Sequence, residues 1–234
     1  MTALQTGILF ALAGCLASCA NVVPLEGGAK DETPPVLQYS SPPDRQLGFS
    51  SDKIVFEFDE YIQLKNASQK LLVSPPLQQM PELKERNKTL TVEFKSELEP
   101  NTTYTLNFAD GIADLNEGNA IPDFTYTFST GTYIDSLQVA GKIIQTYTLE
   151  PGKDMSVFLY DKQGDSLPYT SPPFYVTRTD ASGAFRFRSI KNGSYTIAAV
   201  SDKNNNYRYD PPEENIAFLS ENIVPFVQTV PDTS

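Results

Sequence analysis

The chain contains no histidine and no tryptophan, and its two cysteines, Cys15 and Cys19, both fall within the first 19 of 234 residues. Without histidine, the Ser-His-Asp and Cys-His nucleophile systems and imidazole zinc ligands are excluded. Without cysteine beyond Cys19, so are thiolate metal sites and disulfide staples in the folded part. Cationic side chains are scarce: 18 Lys and Arg stand against 29 Asp and Glu, a formal charge of −11. Such a surface repels phosphate backbones and anionic lipid, so nucleic acid is not an expected partner. The absence of tryptophan weakens a sugar-stacking platform, although 12 tyrosines remain. What chemistry is left is that of paired carboxylates, of serine with lysine, or none.

Apolar residues make up 40% of the chain and charged residues 20%, which is enough for packed cores and unlike a disordered sequence. The length suits two small domains once terminal segments are set aside. From Val36 onward the apolar period is two. Ile54, Phe56 and Phe58 alternate with polar neighbours, and so do Leu90, Val92 and Phe94, then Tyr104, Leu106 and Phe108, then Phe124, Tyr126 and Phe128. Each reads as a half-buried strand. Turn chemistry separates them, at residues 41–44 (SPPD), 74–76 (SPP), 99–101 (EPN) and 116–119 (NEGN). Residues 60–70 leave room for a short helical turn.

A second series begins after a connector at residues 131–138. Val139, Gly141 and Ile143 open it, Val157 and Leu159 follow, and Phe185 and Phe187 alternate with Arg186 and Arg188. Asn192-Gly193 then reads as a hairpin turn before Tyr195, Ile197 and Ala199. The fold class expected is all-β: two small β-sandwich domains in tandem, at residues 34–131 and 138–224, with a tail at 225–234. Each domain is expected to fold from its own core.

The N-terminus reads as an address. Residues 7–17 (GILFALAGCLA) form an apolar run of signal-peptide length, too short to cross a bilayer as a mature helix. It ends in Leu16-Ala17-Ser18-Cys19, which resembles the lipobox of bacterial lipoproteins. The resemblance implies cleavage of residues 1–18 and a lipid on the Cys19 thiol. A second match, Leu12-Ala13-Gly14-Cys15, leaves an apolar stub and a second free thiol, so Cys19 is preferred. The first six residues lack Lys and Arg, which departs from the family pattern. Residues 19–33 mix Gly, Pro and charge without periodicity and read as a tether. In lipoproteins of Bacteroides type, acids directly after the lipidated cysteine favour the cell surface. Here the first acid is Glu26, so the resemblance implies a lipid anchor in the outer membrane with the periplasmic face preferred.

Two further resemblances follow from quoted strings. Residues 33–130, with Leu98-Glu99-Pro100-Asn101-Thr102-Thr103-Tyr104, Asp110-Gly111-Ile112-Ala113-Asp114 and Phe128-Ser129-Thr130, resemble the bacterial Ig-like domain of the SbsA type. That implies a spacer or binding module of cell envelopes. Residues 179–202 (TDASGAFRFRSIKNGSYTIAAVSD) resemble the carboxypeptidase regulatory-like, transthyretin-like domain, which implies a sandwich without catalytic residues of its own.

The candidate sites are few. Asp59 with Glu60 and Asp110 with Asp114 are carboxylate pairs, but adjacent strand residues face opposite ways and Asp residues beside loops make turns. Ser136 and Ser166, in Asp135-Ser136-Leu137 and Asp165-Ser166-Leu167, resemble the short O-glycosylation signal of Bacteroidetes secreted proteins. Asn66, Asn87, Asn101 and Asn192 head Asn-X-Ser/Thr sequons and read as turn residues.

Residues 202–213 carry the sharpest chemical pattern. Laid on the calcium loop of EF-hands, they bring Asp202, Asn204, Asn206, the Arg208 carbonyl, Asp210 and Glu213 into register as calcium ligands. Tyr207 stands where that loop has glycine, and no helices flank it. The alternative is an Asx-rich loop that satisfies its own backbone and binds nothing.

The function expected is that of a non-catalytic, lipid-anchored envelope protein with an envelope protein as partner. A surface adhesin or glycan-binding accessory protein is the alternative, and a carboxylate-dependent hydrolase a remote one.

Overall fold

A computed structural model of the chain describes residues 30–226. The expected signal peptide, Cys15, Cys19 and most of the tether lie outside the described residues. Residues 32–226 belong to one compact unit by their contacts. It is all-β, as its alternating pattern demands: fifteen strands among the described residues accompany two helices of a single turn each.

The first set of strands comprises β1 (Leu37–Ser41), β2 (Lys53–Phe58), β3 (Ile62–Leu64), β4 (Leu72–Ser74), β5 (Glu82–Arg86), β6 (Thr89–Glu93), β7 (Thr103–Asn107), β8 (Ile112–Asp114) and β9 (Thr125–Ser129). The short helix α1 (Ala67–Lys70) lies between β3 and β4. One sheet has the order β1-β2-β6-β5, a second β4-β7-β9, and β3 pairs with β8. Period two puts Ile54, Phe56 and Phe58 of β2 inside with Leu90 and Val92 of β6 and Tyr104, Leu106 and Phe108 on the opposite side.

Phe56 sits at the centre of an aromatic cluster, edge-on to Phe108, Phe124 and Tyr126 with centroids 5.0–6.1 Å away, in the T-shaped arrangement that ring quadrupoles favour. The outer edge strand β5 is charged. Lys84 and Lys95 pair with Glu82 and Glu93 across it, which blunts edge-to-edge association. Asn66, Asn87 and Asn101, the turn residues of three sequons, take φ values of 54°, 58° and 51°, a left-handed conformation that asparagine tolerates.

The second set comprises β10 (Leu137–Lys142), β11 (Ser156–Tyr160), β12 (Tyr175–Arg178), β13 (Ala184–Ile190), β14 (Thr196–Val200) and β15 (Ile216–Phe218), with helix α2 (Leu167–Thr170) after β11. One sheet has the order β12-β11-β14-β15 and the other pairs β10 with β13. Phe185 and Phe187 point inward and Arg186 and Arg188 outward, as the alternation requires.

The hairpin expected at Asn192-Gly193 does not form. β13 pairs with β10 while β14 pairs with β11 and β15, so these residues carry the chain from one sheet across to the other. A sandwich needs such arches, and Gly193, whose φ is not positive, has Tyr195 packed where a side chain would sit. Strand pairing also reaches into the segment read as a tail, since Phe226 and Gln138 exchange both backbone hydrogen bonds.

β11 is buried on both faces. Val157 and Leu159 enter the core between the two sheets, while Phe158 and Tyr160 enter a separate cluster with Leu167, Val176, Ala198 and Val200. Leu72, from β4 of the first set, packs against that cluster. The Val176 N–H donates to Ser74 Oγ at 3.2 Å and the Asp135 N–H to Thr103 Oγ1 at 3.0 Å. Leu72 and these polar bonds therefore join the two regions where β4 lies against β12. Among the described residues no helix is long and apolar enough to cross a membrane.

Candidate functional site

The loop after β14 is where side-chain oxygens converge. Its base is closed by the Ser201 N–H donating to the Asn215 carbonyl and the Asn215 N–H to Ser201 Oγ, at 2.9 and 2.7 Å. Inside, Asp202 accepts from the backbone N–H groups of Asn206 at 3.2 Å and Tyr207 at 3.0 Å. Asn204 Oδ1 accepts from the Asn206 N–H and Asn206 Oδ1 from the Arg208 N–H. Both asparagine amides donate to Asp210 Oδ2, at 2.9 and 2.8 Å. Four of the six expected ligand groups, the side chains of Asp202, Asn204, Asn206 and Asp210, thus belong to one small ring of bonds, which Arg208 joins through its N–H and not its carbonyl.

The sixth, Glu213, does not turn into the loop. Glu213 is exposed, whereas Glu214 is only 5% exposed and turns into the loop, accepting from the Lys203 N–H at 2.9 Å and the Asp210 N–H at 3.0 Å. The twelve-residue register laid on the sequence ends at Glu213 and so leaves Glu214 out. The signal that could have found it is the choice between two adjacent glutamates directly after Pro211-Pro212, which the pattern alone leaves open.

Tyr207 takes a φ of 59°, the left-handed backbone that the glycine of the template supplies. A bulky residue there is strained by roughly 1–2 kcal/mol. Its ring is packed edge-on to Phe158 at 6.3 Å within the second cluster, and that burial offsets the strain.

Electrostatics distinguish Asp202 from the other loop acids. Burial raises its pKa, the N–H groups of Tyr207 and Asn206 pull it back, and the neighbouring Glu214 carboxylate pushes it up again, leaving it above the ordinary aspartate value. Among the described residues no group of three or more His, Cys, Asp or Glu side chains is placed to hold a metal ion. In this arrangement the loop's oxygens serve backbone N–H groups and asparagine amides.

The carboxylates Asp59, Asp110 and Asp114 of the candidate pairs are engaged locally. Asp59 Oδ1 accepts from the Val36 N–H at 2.8 Å, and Asp110 pairs with Lys70 at 2.7 Å. Asp114, 1% exposed, accepts from the N–H groups of Glu117, Gly118 and Asn119 at 2.7, 3.0 and 2.5 Å. Burial pushes its pKa up, but the bonds from Gly118, Asn119 and Glu117 outweigh that, and the net shift is downward. Ser136 and Ser166 are both exposed, the first just before β10 and the second at the start of α2. Cys19 lies outside the described residues.

Residues 31–130 match the family model of the bacterial Ig-like domain. No curated protein matches the chain. Among solved structures, the N-terminal part of the bacterial S-layer protein SbsC is similar at 15% identity with a TM-score of 0.29, over 83% of this chain and 44% of that one. The major pilin subunit of Bacillus cereus is similar at 12% identity with a TM-score of 0.22, over 85% of this chain and 67% of that one. The chain thus spans less than half the length of the first.

Proposed function

We propose that the protein is a non-catalytic, lipid-anchored component of the cell envelope. Cys19 carries the lipid at the outer membrane, residues 20–33 form a tether on the periplasmic side, and the sandwiches serve as spacer and as binding modules for an envelope protein. The observation that carries this reading is the position of the bacterial Ig-like match, residues 31–130, directly behind Leu16-Ala17-Ser18-Cys19. It is supported by the engagement of Asp59, Asp110 and Asp114 in local backbone and ion-pair contacts. Mass spectrometry of the N-terminal peptide is expected to find a diacylglycerol on Cys19. An unmodified peptide spanning residues 16–20 in the mature protein would sink the anchor, and affinity capture of the lipidated chain from its own membrane would identify the partner.

A second reading concerns the loop at residues 202–214, for which calcium is the proposed ligand, with Glu214 in the place of Glu213. The left-handed Tyr207 and the inward Glu214 favour it. Binding would exchange bonds from backbone N–H groups and asparagine amides for bonds to the ion. Melting with and without millimolar calcium tests it. The adhesin or glycan-binding alternative is tested by a glycan array.

A further inference from the structure

Three exposed apolar side chains, Val36, Tyr61 and Leu115, gather at one end of the first sandwich. The Leu115 N–H donates to the Tyr61 carbonyl at 2.9 Å, so the two residues are neighbours across adjacent strands. Val36 joins them through the Asp59 segment, its N–H donating to Asp59 Oδ1 and its carbonyl accepting from the Asp59 N–H. Lys88 donates to the Asp59 carbonyl and holds its ammonium 6.0 Å above the Tyr61 ring. Over half of each apolar residue is open to solvent: 54%, 52% and 52% for Val36, Tyr61 and Leu115.

The same end receives the chain from its N-terminus. The Asn119 side-chain amide donates to the Thr33 carbonyl at 3.3 Å, which pins the start of the fold beside Leu115. On the lipid-anchored reading above, Cys19 lies roughly 14 residues before that point. This end is therefore where the chain leads back toward the lipid, a short segment of sequence away.

We infer that the Val36–Tyr61–Leu115 end is a membrane-contact surface, resting on the zwitterionic headgroup region of the bilayer into which the chain's own lipid is inserted. The chemistry suits that layer. A tyrosine with aliphatic neighbours places an apolar body against the acyl boundary and a hydroxyl in the headgroups, and the Lys88 ammonium stands at phosphate level. The exposed acids Glu32 and Glu117 disfavour anionic lipid, which is why a zwitterionic surface is specified. The contact fixes the orientation of the sandwiches over the membrane, which a tether alone does not do.

This inference rests on the lipid-anchored reading, and one experiment separates the two. The native chain has no tryptophan, so Tyr61→Trp and Leu47→Trp each introduce a single reporter. Leu47 is exposed in the connection between β1 and β2, where its neighbours Gln46 and Gly48 bond to Ser129 and Gly131 at the far end of β9. The full lipidated variants are reconstituted into vesicles of phosphatidylcholine and phosphatidylethanolamine with brominated acyl chains, and flotation is measured beside fluorescence. The expected result is co-flotation of both, with Tyr61→Trp blue-shifted and quenched by more than half and Leu47→Trp unchanged. If both float and Tyr61→Trp emits as Leu47→Trp does, the end faces water or a protein, and the inference is overturned while the anchor stands. If neither floats, the anchor itself is wrong and the inference falls with it.

Discussion

The loop at residues 114–119 in the first region and the loop at 202–214 in the second are built on the same device, a carboxylate that accepts hydrogen bonds from backbone N–H groups ahead of it. They reach opposite electrostatic ends. Asp114 collects three N–H groups, whose bonds outweigh the effect of burial, so its ionised form is held more strongly than in water. Asp202 collects two and faces Glu214, so burial prevails and its ionised form is disfavoured. The first loop favours its carboxylate in the ionised form; the second sets the Asp202 and Glu214 carboxylates beside each other. The same contrast runs through the cores. The first is one aromatic cluster enclosed by its own sheets, whereas the second is divided by β11 and accepts Leu72 from outside.

The widest test of that contrast removes the centre of the first core. Phe56→Ala leaves a cavity amid Phe108, Phe124 and Tyr126 and is expected to cost about 3–5 kcal/mol. Calorimetry should show the transition of residues 34–131 moving down while that of the second region stays within about 1 kcal/mol. If both move together, Leu72 and its neighbouring bonds make the two regions one cooperative unit.

Next in size is Asp114→Ala, which strips the acceptor from three part-buried N–H groups and is expected to cost about 1–3 kcal/mol at neutral pH. Because the folded pKa of Asp114 is depressed, its contribution is fully present above the ordinary aspartate value of about 3.9 and is lost as pH falls through the lower folded value. The difference between wild type and variant should therefore shrink only below about pH 4. Asp202 works the other way. With its folded pKa raised, its ionisation costs stability at neutral pH, and the cost fades as pH falls through the folded pKa toward the unfolded one. A wild-type and Asp202→Asn pair that followed the Asp114 pattern would break the comparison.

If calcium occupies the second loop, stability should rise by about 2.7 kcal/mol at a hundred times the dissociation constant, and Asp202→Ala should abolish the gain. An unchanged melting temperature in millimolar calcium would leave a loop that serves its own backbone alone. The smallest effect concerns Tyr160, whose buried hydroxyl has no hydrogen-bond partner and whose pKa burial raises. Tyr160→Phe is expected to be neutral or stabilising by up to about 1 kcal/mol, because it removes an uncompensated desolvation. A loss of more than that in chemical denaturation would reveal a partner for the hydroxyl.

Much of this was legible residue by residue. The inward sets Ile54, Phe56, Phe58 and Leu90, Val92, Phe94 follow from period two alone, since a strand turns alternate side chains to opposite faces. The pattern also marked Asn66, Asn87 and Asn101 as turns, because few other residues accept a left-handed backbone. Most of the oxygens of the 202–214 loop were named from their spacing. What spacing could not decide was which of Glu213 and Glu214 turns inward, because that depends on how Pro211-Pro212 direct the chain back toward β15.

Sequence by itself determined the all-β class, the inward faces of the half-buried strands and the oxygen-rich loop, since each depends on neighbours a few residues apart. The tertiary structure alone decided that Asn192-Gly193 is an arch between sheets and that β11 is buried on both faces. It alone decided that Leu72 joins the second core and that Val36, Tyr61 and Leu115 share one end. Those depend on which distant strands pair and pack, and the period of a strand fixes which side chains share a face without specifying what that face will meet.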